Sequence, residues 1–336
     1  MDYGDTRGEY EALRNTVGLL DLSFRGRVCV VGADRVRFLN GQITNNAKSL
    51  RPGTGCYSAL TNNKGKLQAD LNVHALAEEL LLDFEPGLTA KVVERLEKFI
   101  VADDVQIVDV APHYGLLSVQ GPASAKVVEK LGLFSAVPNN AYESAKASDA
   151  TLGEVYLMNV PRLGVPGLDL FVPTAAVAAV ADKVVAAAKE LGGGLCGWTA
   201  AEWLRIESGI PRFGADMDEN NLPHEAGIES RAVSYTKGCY IGQEIINRIR
   251  SMGQVTRALR GLRLDPSAAL PAHGDKLWHE GKEVGQVTSA IHSPALDAPV
   301  ALGYVRKECN SPGSELVVRT PQGDSRATIV ALPFVS

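Results

Sequence analysis

The 336-residue sequence has no apolar run approaching the roughly 18 residues that a membrane span requires. Its five cysteines, Cys29, Cys56, Cys196, Cys239 and Cys309, form no CxxC pair and are odd in number. That excludes a disulfide framework and points to reduced thiols in a cytoplasmic compartment. The six histidines have no ligand spacing, and HExxH, GxxxxGK and a strand-to-helix GxGxxG are all absent. A zinc or nucleotide enzyme is therefore not expected, and no metal site is assigned. The start, Met1-Asp2-Tyr3-Gly4-Asp5, lacks the basic and apolar regions of a signal peptide. Basic residues number 34 against 39 acidic, a net charge of −5, so the chain is not a general nucleic-acid binder. With 45% hydrophobic and 22% charged residues it is not a disordered tail, and its length suits about two domains.

The apolar patterning alternates between strand and helix periods. Thr6-Arg7-Gly8-Glu9 fits a capping box opening a first helix. Residues 27–31 read as a buried strand and 33–44 as a helix. Residues 56–60 and 66–74 read as a hairpin around Thr61-Asn62-Asn63-Lys64-Gly65, followed by a strand at 79–84 and a helix at 88–100. A similar series recurs as a strand (116–119), a helix (122–131), strands (155–160 and 168–172) and a helix (174–191) ending near Gly192-Gly193-Gly194. Two split-βαβ, ferredoxin-like units in an α+β body are expected. A helix at 199–209 precedes a long polar segment, 214–234. Beyond Gln254, short β-rich runs separated by Gly, Pro and Asp indicate a C-terminal antiparallel β-barrel. The expected domains are 1–253 and 254–336.

Four places carry chemistry. On the strand 66–74, Leu67, Ala69, Leu71 and Val73 share one face, and Gln68, Asp70, Asn72 and His74 the other. That polar face fits a half-exposed strand, or a cleft in which a carboxylate meets a nitrogen-rich ligand. Asp169 lies in an apolar strand, where a carboxylate requires either solvent or a donor-rich partner. Cys239, in Lys237-Gly238-Cys239-Tyr240-Ile241-Gly242-Gln243-Glu244, has flexible flanks and a lysine two residues away that could lower its pKa. From Lys237 to Arg263, six basic residues (Lys237, Arg248, Arg250, Arg257, Arg260, Arg263) face Glu244 alone, which suits a polyglutamate tail, phosphate or RNA.

At these residues the chain resembles a known family. The segment 237–244 matches the K-G-C-F/Y-x-G-Q-E signature of YgfZ-type folate-binding proteins, which are similar to the glycine cleavage T-protein, an aminomethyltransferase. Asp21-Leu22-Ser23, Leu117-Ser118-Val119-Gln120-Gly121-Pro122, Arg205-Ile206-Glu207 and Gly285-Gln286-Val287-Thr288-Ser289 also resemble T-protein segments. The resemblance implies a three-lobed ring binding tetrahydrofolate or a one-carbon-substituted folate. It implies Asp70 near the folate reaction centre, Asp169 on the pteridine and Arg205 as a further folate contact. The chain departs from T-proteins in having Ser23-Phe24-Arg25-Gly26 for S-H-M-G, and Leu163-Gly164-Val165-Pro166-Gly167-Leu168-Asp169 for T-G-E-D-G-F-E. These departures argue against glycine-cleavage activity and are compatible with folate binding.

The expectation is a cytoplasmic, monomeric protein supporting assembly or repair of iron–sulfur clusters in client enzymes, including tRNA-modifying ones. Cys239 is its reactive group, Lys237 the electrostatic partner, and Asp70, Asp169 and Arg205 the ligand contacts. The signature residues are Lys237, Gly238, Cys239, Tyr240, Gly242, Gln243 and Glu244. The alternative is a folate-dependent aminomethyl- or methyltransferase using Asp70. Direct RNA binding is the less favoured reading.

Overall fold

A computed structural model describes residues 2–253 and 255–335. Met1, Gln254 and Ser336, which begin or end the two expected domains, lie outside the described residues. The chain forms two compact units: Met1–Asn63 with Gln68–Ala201 and Arg231–Ile241, and Lys64–Leu67 with Glu202–Ser230 and Gly242–Ser336.

In chain order the first unit opens with α1 (Thr6–Asn15), β1 (Gly18–Asp21), β2 (Gly26–Val31) and α2 (Arg35–Gln42). The strands β3 (Thr54–Thr61), β4 (Leu67–Ala75) and β5 (Leu80–Phe84), the helix α3 (Thr89–Glu97) and β6 (Gln106–Asp109) follow. Next come β7 (Tyr114–Gln120), α4 (Ser124–Lys130), β8 (Ser144–Asp149), β9 (Gly153–Asn159), β10 (Gly167–Pro173), α5 (Val177–Lys189) and β11 (Gly194–Leu195). They build a five-stranded sheet, β3-β4-β5-β2-β6, and a six-stranded sheet, β11-β1-β7-β10-β9-β8.

Each sheet buries one apolar face under two helices. Phe38 and Leu39 of α2 and Val92 and Leu96 of α3 pack with Val28, Val30, Leu71, Val73 and Leu82. Val127 and Val128 of α4 and Val180, Val184 and Ala188 of α5 pack with Leu117, Val119, Leu168 and Leu170. This is the helix-on-sheet layering that period-2 strands and period-3.6 helices favour. Beyond α5, Gly192 adopts φ +79°, a left-handed turn suited to glycine, and Gly193 N–H returns to Ala188 O.

The α1 start differs from the capping-box expectation. The N-cap is Asp5, whose carboxylate accepts from Gly8 N–H, while the Glu9 carboxylate accepts from Tyr3 N–H and Gly197 N–H. Aspartate caps at least as well as threonine, so the helix starts one residue earlier. The strands β1, β6 and β8 extend the two expected βαββα series.

In the second unit, α6 (Trp198–Glu207) contributes its C-terminal half, followed by an extended polar segment that carries the single-turn α7 (Glu229–Ala232) across to the first unit. The helix α8 (Gln243–Met252) leads to β12 (Arg257–Leu264), β13 (Lys276–His279), β14 (Lys282–Ser293), β15 (Ala298–Arg306), β16 (Glu315–Thr320) and β17 (Gly323–Val330). They close as β12-β15-β14-β13-β16-β17, antiparallel throughout, around Leu262, Leu277, Val287, Val305, Val318 and Ile329. Among the described residues no helix is long and apolar enough to cross a membrane.

Candidate functional site

The polar face of β4 is not a solvated surface. Gln68 Oε1 accepts from Arg95 Nε at 2.8 Å, and Asn72 Nδ2 donates to Asp83 Oδ2 at 2.9 Å. His74 is buried against Tyr142 and Phe171. Asp70 is set between these neighbours. Its Oδ2 accepts from the Tyr57 hydroxyl at 2.8 Å, while its Oδ1, shielded from solvent, has no protein partner. Burial, reinforced by the negative charge of Glu85, pushes the Asp70 carboxyl up to about 6, against the opposing pull of Tyr57 and Arg25. A carboxyl titrating near neutrality, with one oxygen free, can accept or return a proton.

Asp169 meets the donor-rich partner that its apolar strand demanded, and that partner is internal. Ser118 Oγ, opposite Asp169 in the β7–β10 register, donates to its Oδ1 at 2.7 Å. Arg162 Nε donates to its Oδ2 at 2.8 Å. Burial raises the Asp169 carboxyl above the usual range, and Arg162 offsets this in part. A pteridine at Asp169 must share oxygens that already accept hydrogen bonds.

Arg162 also reaches Asp83 Oδ2 at 2.6 Å, so one guanidinium joins a carboxylate of the five-stranded sheet to one of the six-stranded sheet. On the other side of Asp83, Arg25 Nε donates to Oδ1 at 2.8 Å, and Arg25 also pairs with Glu85. Burial would raise Asp83, but Arg162 and Arg25 overcome it and hold the carboxyl well below the usual carboxylate range. The structure thus links Glu85 to Asp169 through Arg25, Asp83 and Arg162, and the charges of Glu85 and Arg25 act on Asp70. Of Glu85, Arg25, Asp83, Arg162 and Tyr57, only Arg25 stood out in the sequence, and only as part of the departure at Ser23-Phe24-Arg25-Gly26. Asp83 could have been found by the rule that marked Asp169, since it interrupts the apolar run Leu80-Leu81-Leu82.

Arg205 lies in the second unit. Its Nε and Nη2 hold Glu202, its Nη1 holds Asp216 and the Ile210 carbonyl, and its Nη2 also donates to Ser289 Oγ. These five hydrogen bonds match the five N–H donors of a guanidinium. None is left for a folate, so the expected contact at Arg205 is corrected to a role in joining α6 to β14. Asp216, which also accepts from Thr288 Oγ1, borders a cleft of about 320 Å³ with Asp218, Arg257 and Tyr304.

The signature segment divides between the units. Lys237 is buried, and its ammonium donates to the carbonyls of Asn40 in the last turn of α2 and of Ile43 and Asn45 just past its end. It also sits 4.9 Å from the Tyr240 ring centroid. Burial pulls Lys237 down to about 8, and the thiol in its electrostatic field is Cys56. The expectation that Lys237 activates Cys239 is therefore corrected: its three donors are used by backbone carbonyls. Ile241 N–H donates to Gly41 O, and Thr61 Oγ1 donates to Ile241 O, completing the latch. Gly238 and Cys239 remain exposed, whereas Cys29, Cys196 and Cys309 are buried and Cys56 is half-buried. Gly242 takes φ +88°, the left-handed turn from which Gln243 and Glu244 start α8.

The basic stretch is not one patch. Arg257 donates to Asn220 O and faces Glu225, Arg260 donates to Asn310 O, and Lys237 is buried. Arg248, Arg250 and Arg263 are exposed. Among the described residues no group of three or more His, Cys, Asp or Glu side chains is placed to hold a metal ion.

Comparison with known proteins gives the same assignment over both parts of the chain. Residues 3–237 match the GCVT N-terminal domain, and residues 257–336 match the glycine cleavage T-protein C-terminal barrel domain. An aminomethyltransferase of Halothermothrix orenii is 29% identical, covering 100% of this chain and 93% of its own. One of Mycolicibacterium paratuberculosis is 30% identical, covering 100% and 90%. The crystal structure of the glycine cleavage system aminomethyltransferase T from Bartonella henselae superposes with TM-score 0.88 at 24% identity, covering 100% of this chain and 91% of that one. With both domain models matched, and with an aminomethyltransferase-type α+β body and closed barrel, the chain belongs to the glycine cleavage T-protein family.

Proposed function

We propose that the protein binds tetrahydrofolate or a one-carbon derivative at Asp70 and acts in folate-dependent one-carbon transfer of the aminomethyltransferase type. The observation that carries this reading is the free, shielded Oδ1 of Asp70 beside a tyrosine-bound Oδ2. A buried acceptor without a partner is costly, and a ligand N–H aimed at Oδ1 removes that cost. The donor-rich face of a reduced pterin fits such an acceptor. When bound, the folate supplies the nitrogen that carries the one-carbon unit. Tyr57 orients the Asp70 carboxyl, Glu85 keeps its proton affinity high, and Oδ1 takes or returns a proton near neutral pH. Asp169, fixed by Ser118 and Arg162, is the second ligand contact in this reading. The test is incubation with tetrahydrofolate and its one-carbon derivatives, followed by product analysis. Turnover that disappears in Asp70→Asn supports the reading, and absence of any product from the wild type refutes the transfer step.

A second reading rests on Cys239. The full K-G-C-Y-I-G-Q-E match supports a YgfZ-type role in iron–sulfur cluster assembly or repair, and the exposure of Cys239 on a latched loop is the specific observation in its favour. In that reading Lys237 presents the thiol by fixing the loop. Cys239→Ser should then abolish rescue of iron–sulfur enzyme activity in cells lacking the protein. Full rescue by that variant returns the cysteine to an ordinary surface residue.

A further inference from the structure

Asp83 is fully buried and contacts three side chains: Arg25, Asn72 and Arg162. Each leads to a different part of the network. Asn72 is on the β4 face that carries Asp70, and it lies opposite Asp83 in the β4–β5 register. Arg25 reaches from Asp83 to Glu85, the acidic neighbour of Asp70. Arg162 reaches from Asp83 to Asp169. Without Asp83, two buried guanidiniums would be left with Glu85 and Asp169 alone, and neither would have a fixed orientation between the sheets. Arg25 stands in the segment Ser23-Phe24-Arg25-Gly26, one of the places where this chain departs from the T-protein pattern.

We propose that Asp83 is a positioning residue that ties Asp70 and Asp169 into one ligand-facing unit, by holding Arg25 toward Glu85 and Arg162 toward Asp169. The proposal rests on the reading of Asp70 and Asp169 as folate contacts. The charged and titratable groups around Asp70 are Tyr57 from β3, Glu85 after β5, Arg25 before β2, Tyr142, and Arg231, which lies 5.0 Å from the Tyr57 ring centroid. Neutralising Asp83 leaves Arg25 less compensated in this field, so it favours ionised Asp70.

The test uses the full chain. In Asp83→Asn, NMR titration of the Asp70 carboxyl should move down by about one pH unit. Calorimetry should find tetrahydrofolate bound about tenfold more weakly. Adding Asp169→Asn to that variant should cost less affinity than it does in the wild type, by a factor of about three or more, because the two residues act through one network. A purely structural Asp83 predicts additive costs and an unmoved Asp70 titration, and that result overturns the proposal. Should Asp83→Asn fail to fold, the charge-balanced pair Asp83→Asn/Arg162→Gln carries the same titration: a downward shift supports the proposal and no shift overturns it. A wild type that binds no tetrahydrofolate overturns the folate reading, while the Asp70 titration still decides whether Asp83 controls that carboxyl.

Discussion

Asp70 and Asp169 are the same residue on strands of two sheets in one unit, yet their surroundings differ. Asp169 is closed in by Ser118 and Arg162, and both its oxygens accept hydrogen bonds. Asp70 has a neutral tyrosine on one oxygen, nothing on the other, and the negative Glu85 nearby. The difference teaches that an acidic residue in a strand becomes available to a ligand when its neighbours withhold a matching cation. Asp169 has its cation and contributes to the framework as well as to any ligand contact. Asp70 is paired with none and keeps an unpartnered acceptor.

The largest effect should come from removing that cation. Arg162→Ala leaves buried Asp169 without a cation and Asp83 with Arg25 alone, and urea denaturation should show a loss of about 3–5 kcal/mol. A loss below about 1 kcal/mol would mean that the pairs are solvated and that the two carboxylates do not differ as described.

Asp70→Asn should act in the opposite sense. The folded Asp70 titrates at about 6, above the ordinary value near 3.9, so its protonated form is favoured by folding. That contribution is present below about pH 4 and is lost as pH rises through about 6. The variant, which cannot ionise, should therefore exceed the wild type by about 2–3 kcal/mol above pH 7, with the gap closing toward pH 4. Denaturation curves across this range check the sign. Asp83, held low by Arg162 and Arg25, contributes stability above its unfolded value that is lost on acidification, so the network weakens from the acid side while Asp70 weakens it from the neutral side.

A smaller loss is expected at the latch. Lys237→Met leaves three carbonyls at the C-terminal end of α2 without their ammonium donor and should cost about 1–3 kcal/mol, read by thermal or urea unfolding. Cys239→Ser, on the exposed turn of the same loop, should change stability by no more than about 0.5 kcal/mol. Equal losses in the two variants would contradict the division of the loop into a buried anchor and an exposed thiol.

The layers of the fold were legible because apolar periodicity reports burial directly. Val36, Leu39 and Ile43 marked α2, and the alternation from Leu67 to His74 marked β4. The strands β6 and β8 were not legible, since they lie at sheet edges with mostly exposed or half-buried side chains and show little alternation. The four-residue β13 is too short to show a period. In the site, Asp70 and Asp169 could be marked because a carboxylate among apolar strand residues must be explained. Arg25 and Arg162 could not be placed, since they sit in turns whose path only the assembled sheets determine. Lys237 shows the converse: nearness in sequence to Cys239 said nothing about where a four-carbon side chain points, and it points to α2.

Asp70 is the proposed ligand-facing carboxylate of a folate site. Isothermal titration of tetrahydrofolate into the wild type and into Asp70→Asn at neutral pH tests this directly. We predict measurable binding by the wild type and a loss of about tenfold or more in the variant, the size of one hydrogen bond to a charged acceptor. Equal affinities in the two proteins, or no binding by the wild type, would contradict it.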